Sequence, residues 1–335
     1  SPTSLSLALQ IVFNGAGGDT KTAMDKALSL GGASASDINT SNAALQASLV
    51  TDSPDINLTI ANGLWFKPSA VKSEFVKTNT DFYGSELGDV TGLPKSANDW
   101  VSKKTNAKIL TILPDQDYSS TVAVLVNAIY FKGAWTHKFD TAKTNDSPFT
   151  LSDGKTATVK MMQQQIDTGY LQGSNFQAIK LPYGKEGRLN LYVFLPTTGT
   201  SLPDFLKTLT PENWANWMTK FATASVTLKL PRFKTDYSVA LKDALTNLGM
   251  GIAFDSTGKA DLSGIADNAY IQFVQHKTFV EVNEEGTEAA GATGIGIGVT
   301  SAPLPASITV DHPFFCAIRD DKTGAVLFMG TIVKP

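Results

Sequence analysis

Cysteine is almost missing from this chain: Cys316 is the single thiol in 335 residues. An internal disulfide and a thiolate metal cluster are both excluded. Cys316 lies in the alternating stretch "PFFCAIRD" and reads as a packed strand residue rather than a nucleophile. Histidine is scarce as well, at His137, His276 and His312. None belongs to an H-E-x-x-H pattern, and no G-x-S-x-G elbow occurs anywhere, so no catalytic residue, metal or cofactor is expected. Charge of one sign is not in excess either. A net charge of -3 with 18% charged residues leaves no electrostatic footprint for nucleic acid or an anionic membrane. Apolar runs of about 20 residues, the length a membrane-spanning helix needs, do not occur.

What is there is an ordinary globular composition, 42% apolar, enough for one large domain. "SPTSLSLALQIVFNGAGG" opens with Ser1 as helix cap and Pro2 at the first helical position. The run that follows is apolar nearly all round, which describes a buried helix. Chains rarely begin with one, so N-terminal material is expected to have been lost or removed, and the location to be extracellular or secreted. Further helical patterns fall near 20–30, 70–83 and 96–113. Strands read clearly at "INLTIANGLWF", Thr121–Phe131, "FTLSDGKTATVKMM", "FQAIKLPYG", "RLNLYVFLP" and "ASVTLKLPRF". A helical interlude at "YSVALKDALTNLGM" precedes "FVQHKTFVEVNEEG" and two closing strands joined by a "DDKTG" turn. Helices first and strands later, with no linker or repeat, predict a single α+β domain over 1–335 with antiparallel or mixed sheets. His276, inside an apolar strand, reads as a buried histidine in a polar network that holds strands in one arrangement.

One stretch resists this reading. "EEGTEAAGATGIGIGVTSAPLPAS", residues 284–307, has the small residues and prolines of an exposed loop. From Thr287 it also alternates as a strand does. Thr287, Ala289, Gly291, Thr293, Ile295, Ile297 and Val299 line one face, with Glu288, Ala290, Ala292, Gly294, Gly296 and Gly298 on the other. "GIGIGV" carries no Lys-Ser/Thr and opens no helix, so it is not a phosphate loop. Adding such a segment to a sheet edge gains about 1 kcal/mol per residue against a backbone cost of about 1–2 kcal/mol. Insertion between two strands doubles the ladder bonds, and burying Ile295, Ile297 and Val299 adds about 1.5–3 kcal/mol each. Only central insertion clearly wins. The segment reads as a strand held out of its sheet.

The stretch "VNEEGTEAAGAT" closely resembles the hinge of the serpins, serine-protease inhibitors that trap proteases by inserting a cleaved loop. The resemblance runs the length of the chain, through "SPTSLSLAL", "NDWVSKKTNAKI", "LVNAIYFKGAW", "LPRFKTDYSVALKDALTNLG", "DLSGIA", "HPFFCAIRD" and "LFMGTIVKP" in the family's order. Ala107 stands where the family usually has glycine, the family's first helix is missing, and the loop is about two residues longer on its C-terminal side. The resemblance implies a serpin-like domain with about eight helices and three β-sheets, an inhibitor rather than an enzyme, acting as a monomer. It places the hinge at Glu284, Glu285, Gly286, Thr287, Glu288, Ala289, Ala290, Gly291 and Ala292. Ser1, Ser4, Asn127 and His276 match the polar cluster beneath the sheet opening. Trp135 matches the tryptophan where the loop first enters, and Arg232 with Glu284 the ion pair there, expected near the surface and worth about 1 kcal/mol.

The implied mechanism is a suicide substrate: the protease acylates itself on the loop, and insertion of the freed segment carries it off before water releases it. Loop insertion of this kind releases strain stored in the uncleaved chain. Fifteen steps from Glu285 to Thr300 span about 50 Å when extended. Counting from Gly286 by the usual hinge length puts the cleaved bond at Thr300-Ser301. Counting back from Pro313-Phe314 gives Ala302-Pro303, a poor leaving side, and Ser301-Ala302 is the alternative to Thr300-Ser301. "IGVTSA" is small and uncharged, which implies elastase-like or subtilisin-like targets, with cysteine proteases also open. A non-inhibitory serpin, a carrier, chaperone or storage protein, is the alternative. Bulky, charged or proline residues there would block insertion and favour it, whereas this hinge has small residues with Thr287 the first to be buried on insertion, which favours inhibition.

Overall fold

A computed structural model describes all residues except 51–52, 273 and 288–304. The α-helices are α1 (Pro2–Phe13), α2 (Gly18–Leu28), α3 (Ala35–Leu49), α4 (Ser73–Tyr83), α5 (Lys95–Lys104), α6 (Leu202–Lys207), α7 (Pro211–Met218) and α8 (Lys242–Leu245). The strands are β1 (Ile56–Phe66), β2 (Glu86–Asp89), β3 (Ala123–Ala134), β4 (Asn145–Thr150), β5 (Thr156–Gln172), β6 (Phe176–Pro182) and β7 (Leu189–Pro196). There follow β8 (Ala222–Pro231), β9 (Phe233–Ala240), β10 (Gln275–Asn283), β11 (Gly286–Thr287), β12 (Ala306–Thr309), β13 (Phe314–Asp320) and β14 (Val326–Ile332). The chain forms two compact units. The first is Ser1–Thr51, Leu58–Tyr130 and Asp236–Phe279, and the second is Asp52–Asn57, Phe131–Thr235 and Val280–Pro335.

In the first unit α1 starts as expected, with the Ser1 side chain accepting from the Ser4 amide and proline in the first turn. Leu7, Ile11 and Phe13 of α1 are buried with Met24, Phe75 and Met250. Helix α3 has no counterpart among the predicted helices. Its buried face is Ile38, Asn39, Asn42 and Leu49, so apolar spacing does not reveal it. The signal that was available is Ser34, whose side chain accepts from the Asp37 amide as an N-cap. The helix predicted over 96–113 ends instead at Lys104. Asn106 and Ala107 are left-handed, at φ 49° and 60°, which breaks the helix. The chain then turns back, and the Asn98 carboxamide oxygen accepts from the amides of Ile112 and Leu113. Val101, Ile109, Ile112 and Leu113 therefore share one core, at spacings that mimic a longer helix. The helix predicted over 237–250 is also shorter, since Phe233–Ala240 is strand and only Lys242–Leu245 is α-helical.

In the second unit an aromatic core of Phe176, Phe194, Phe205 and Phe315 packs with Trp214 and Trp217 of α7. Helices α6 and α7 also escaped the sequence reading, although Ser201 and Thr210 cap them ahead of prolines in their first turns. The described strands fall into two ladders rather than three. One is β2-β1-β3-β11-β10-β9, and the other is β12-β8-β5-β6-β7-β13-β14 with β4 on β5. The reason is β5. It is 17 residues long and pairs with β4, with β8 from Met161 to Tyr170, and with β6 at Gly169–Gln172, joining what would otherwise be separate sheets. Cys316 is buried on β13, and burial pushes its thiol up to about 12. That agrees with a packing role.

Candidate functional site

Gly286 and Thr287, the third and fourth residues of the ambiguous stretch, are a strand. They pair antiparallel with β3, Gly286 opposite Ala134 and Thr287 opposite Gly133. They also pair antiparallel with β10, opposite Asn283 and Val282. Both edges of β11 are therefore occupied. Gly286 has φ 148°, and a Cβ there would lie 2.0 Å from the Gly133 carbonyl oxygen, so only glycine fits between these backbones.

Thr287 is 2% exposed, and its hydroxyl lies 2.6 Å from the hydroxyl of Tyr183. It was expected to become buried only on insertion of the loop. It is buried already, because β11 is in place. Tyr183 is wholly buried, and burial raises its phenol far above the ordinary range. The tyrosine ring stacks on Trp135 at 4.4 Å and 12°, and the indole Nε1 donates to the Asn283 carbonyl at 2.8 Å. The Trp135 amide donates to the Glu285 carbonyl at 2.9 Å, and the Phe139 amide to that of Glu284 at 3.0 Å. Trp135 thus lies against the segment just ahead of β11.

Arg232 and Glu284 do meet. Arg232 Nε donates to Glu284 Oε1 at 2.8 Å and its terminal nitrogen lies 2.6 Å from the same atom. The pair, expected near the surface, is open to solvent on the arginine side and buried on the glutamate side. Glu284 is 3% exposed, while the arginine side chain is 44% exposed. Burial alone would raise the Glu284 carboxyl, but hydrogen bonds from Arg232 and Thr144 and the arginine charge outweigh it and hold the carboxyl low. Lys138 pairs with Glu285 at 2.7 Å. Tyr183, Thr144, Lys138 and Asn283 went unnoticed in the sequence. Nothing in "KLPYGK" sets Tyr183 apart from any other strand-end tyrosine.

In the first unit the Ser1 backbone nitrogen lies 2.8 Å from His276 Nε2. Ser4 is buried, and its amide reaches the Ser1 hydroxyl at 3.3 Å. Asn127 is bound elsewhere: its amide donates to Asn62 Oδ1 at 2.8 Å, and Asn62 in turn reaches the Tyr83 carbonyl. Asn127 and His276 nonetheless line one cavity. Burial lowers the His276 imidazole to about 4. It is neutral at ordinary pH. The remaining hinge residues, Glu288, Ala289, Ala290, Gly291 and Ala292, and the bond residues Thr300, Ser301 and Ala302 lie outside the described residues.

An α+β fold with a two-residue strand set between β3 and β10 defines the class, and likeness to known proteins gives it a family. The family model described as Serpin (serine protease inhibitor) matches residues 1–335. Leukocyte elastase inhibitor A of Mus musculus is 38% identical over 354 residues, covering 100% of this chain and 92% of the relative. The native state of tengpin, a thermophilic serpin, superposes with a TM-score of 0.89 at 31% identity, covering 100% of this chain and 88% of that one. Human thyroxine-binding globulin complexed with thyroxine gives 0.87 at 26% identity, covering 100% of this chain and 91% of that one. The chain belongs to the serpin family, a family of protease inhibitors.

Proposed function

We propose that this serpin inhibits serine proteases of elastase-like or subtilisin-like specificity as a suicide substrate, acting as a monomer. The protease cleaves at Thr300-Ser301, or at Ser301-Ala302, and remains bound as an acyl-enzyme while the freed segment inserts. The observation that carries this reading is β11. Gly286 and Thr287 are hydrogen-bonded on both sides, so the freed segment would extend a strand already begun and need not open the sheet from nothing. Nucleating a new central strand is thereby avoided. The cluster of Trp135, Tyr183, Arg232 and Glu284 fixes where that strand starts.

Incubation with pancreatic elastase and subtilisin, run on denaturing gels, tests the proposal. Complexes that resist SDS are expected with at least one of the two, and none with trypsin. If each enzyme only cuts the loop and turns over, the trapping mechanism is wrong. The carrier reading, which draws on the likeness to thyroxine-binding globulin, would then take its place.

A further inference from the structure

The first unit holds a cavity of about 310 Å³. Leu5, Leu9, Phe75, Leu125, Ile265 and Ile271 belong to its apolar wall. Asn127 and His276 also line it, and no lysine, arginine, aspartate or glutamate does among the described residues. Asn268, Tyr270 and Gln272 belong to the lining and are exposed, so the cavity communicates with solvent. The volume is about twice the ~150 Å³ that holds benzene and falls at the lower end of ligand pockets, which suits about ten carbons.

The position of the cavity along the strands gives it a second meaning. Residue for residue, the pairing of β11 with β3 runs backward from Ala134 and Gly133. Continued, it sets Thr293 opposite Asn127, Ile295 opposite Leu125 and Ile297 opposite Ala123. The pairing of β11 with β10 runs backward from Asn283 and Val282. Continued, it sets Thr293 opposite His276, Ile295 opposite Val274 and Ile297 opposite Gln272. All six of these partners line the cavity. Two independent registers converge on the same place.

We propose that this cavity binds an uncharged, largely apolar small molecule of about ten carbons with one hydroxyl, and that its occupancy holds back insertion of residues 293–299. The hydroxyl pairs with Asn127 or His276, the groups that Thr293 would otherwise meet. A carboxylate or ammonium head is disfavoured, since it would lose water without finding an opposite charge. The binding site rests on the cavity itself, and its regulatory effect rests on the loop-insertion reading above.

The probe is 1-decanol, titrated calorimetrically into the full chain, with decanoate at pH 8 as the charged counterpart. One decanol is expected per chain, with decanoate at least about tenfold weaker. Ala8→Phe, filling the cavity from α1, should weaken decanol at least about tenfold, and Ala269→Phe serves if that variant does not fold. After nicking within residues 300–302, decanol binding should fall at least about tenfold as the loop takes the space. Saturating decanol should raise the inhibitor-to-protease ratio needed for full inhibition at least about twofold. No binding to the intact chain, or binding that survives both filled variants, overturns the site. Undiminished binding to nicked chain whose thermal stability has risen overturns the competition. A nicked chain that gains no stability counts against loop insertion instead, and the site is then decided by the intact chain and the filled variants.

Discussion

Gly286→Ala is the sharpest perturbation the site offers. A Cβ at this position lies 2.0 Å from the Gly133 carbonyl oxygen, 2.8 Å from the Ala134 Cα and 2.9 Å from the Gly133 carbonyl carbon. Those are backbone atoms, and no rotamer change relieves them. The residue also has φ 148°, which L-residues rarely adopt, at a cost of about 1–3 kcal/mol. The variant escapes both penalties by releasing β11. Release gives up the ladder bonds of two residues on two edges, at about 1 kcal/mol each, and leaves the buried Tyr183 hydroxyl without Thr287, at about 1–3 kcal/mol. Water recovers part of that, so a loss of about 2–4 kcal/mol is expected in urea unfolding. Gly84→Ala is the control: Gly84 has φ 57° but nothing within 4 Å of its Cβ, so only the backbone penalty of about 1 kcal/mol applies. Trp135 reports the cause. Its stack on Tyr183 and its bond to Asn283 are part of the same cluster, and its emission, isolated by subtracting the Trp135→Phe spectrum, should shift to the red. Stability unchanged to within about 0.5 kcal/mol, together with unchanged emission, would refute the account of β11.

Tyr183→Phe and Thr287→Val should each cost about 1–3 kcal/mol by stranding the other hydroxyl, and the double variant should cost less than their sum. Additive losses in urea melts would mean the two hydroxyls do not act as a pair. Ala107→Gly should stabilise the chain by about 0.5–1 kcal/mol, because relief of the left-handed strain exceeds the extra freedom of the unfolded chain. A fall in melting temperature would contradict that. His276 has a folded value of about 4 against about 6.5 unfolded, so the unfolded chain binds the proton first. Its contribution is fully present above pH 6.5 and is lost as the pH falls toward 4, by about 1–3 kcal/mol. His276→Gln should flatten the stability profile in that window, and an unaltered slope would assign the acid sensitivity to other groups.

Sequence patterns exposed the parts of the fold in which apolar groups do the packing. β1, β6, β7, β13 and β14 lie where alternation or apolar runs put them, and α1 starts at its predicted cap. Where polar groups pack, the pattern fell silent. α3 buries Asn39 and Asn42, which bond Asn14, Gln10 and Tyr83, and an amide in the core looks like an amide at the surface. The site divides the same way. Trp135, Arg232 and Glu284 came from a motif, but Tyr183, which completes both the stack and the Thr287 bond, belongs to none. It is brought to Trp135 by an isolated bridge between residues 48 apart in sequence, and no spacing rule covers a distance of that kind.

The stretch that looked like both loop and strand shows why one letter string can carry both meanings. Alternation requires only that side chains of one parity be fit for burial, whereas burial itself requires a vacant place between two edges. Gly286 and Thr287 have that place, because Gly286 lacks the Cβ that would meet the Gly133 carbonyl oxygen and the Ala134 Cα of β3. Had position 286 carried a Cβ, the same alternation would have had no gap to enter. The glycine at 286 therefore decides where the strand can start, and the period-two pattern that follows decides only what could be buried once it has.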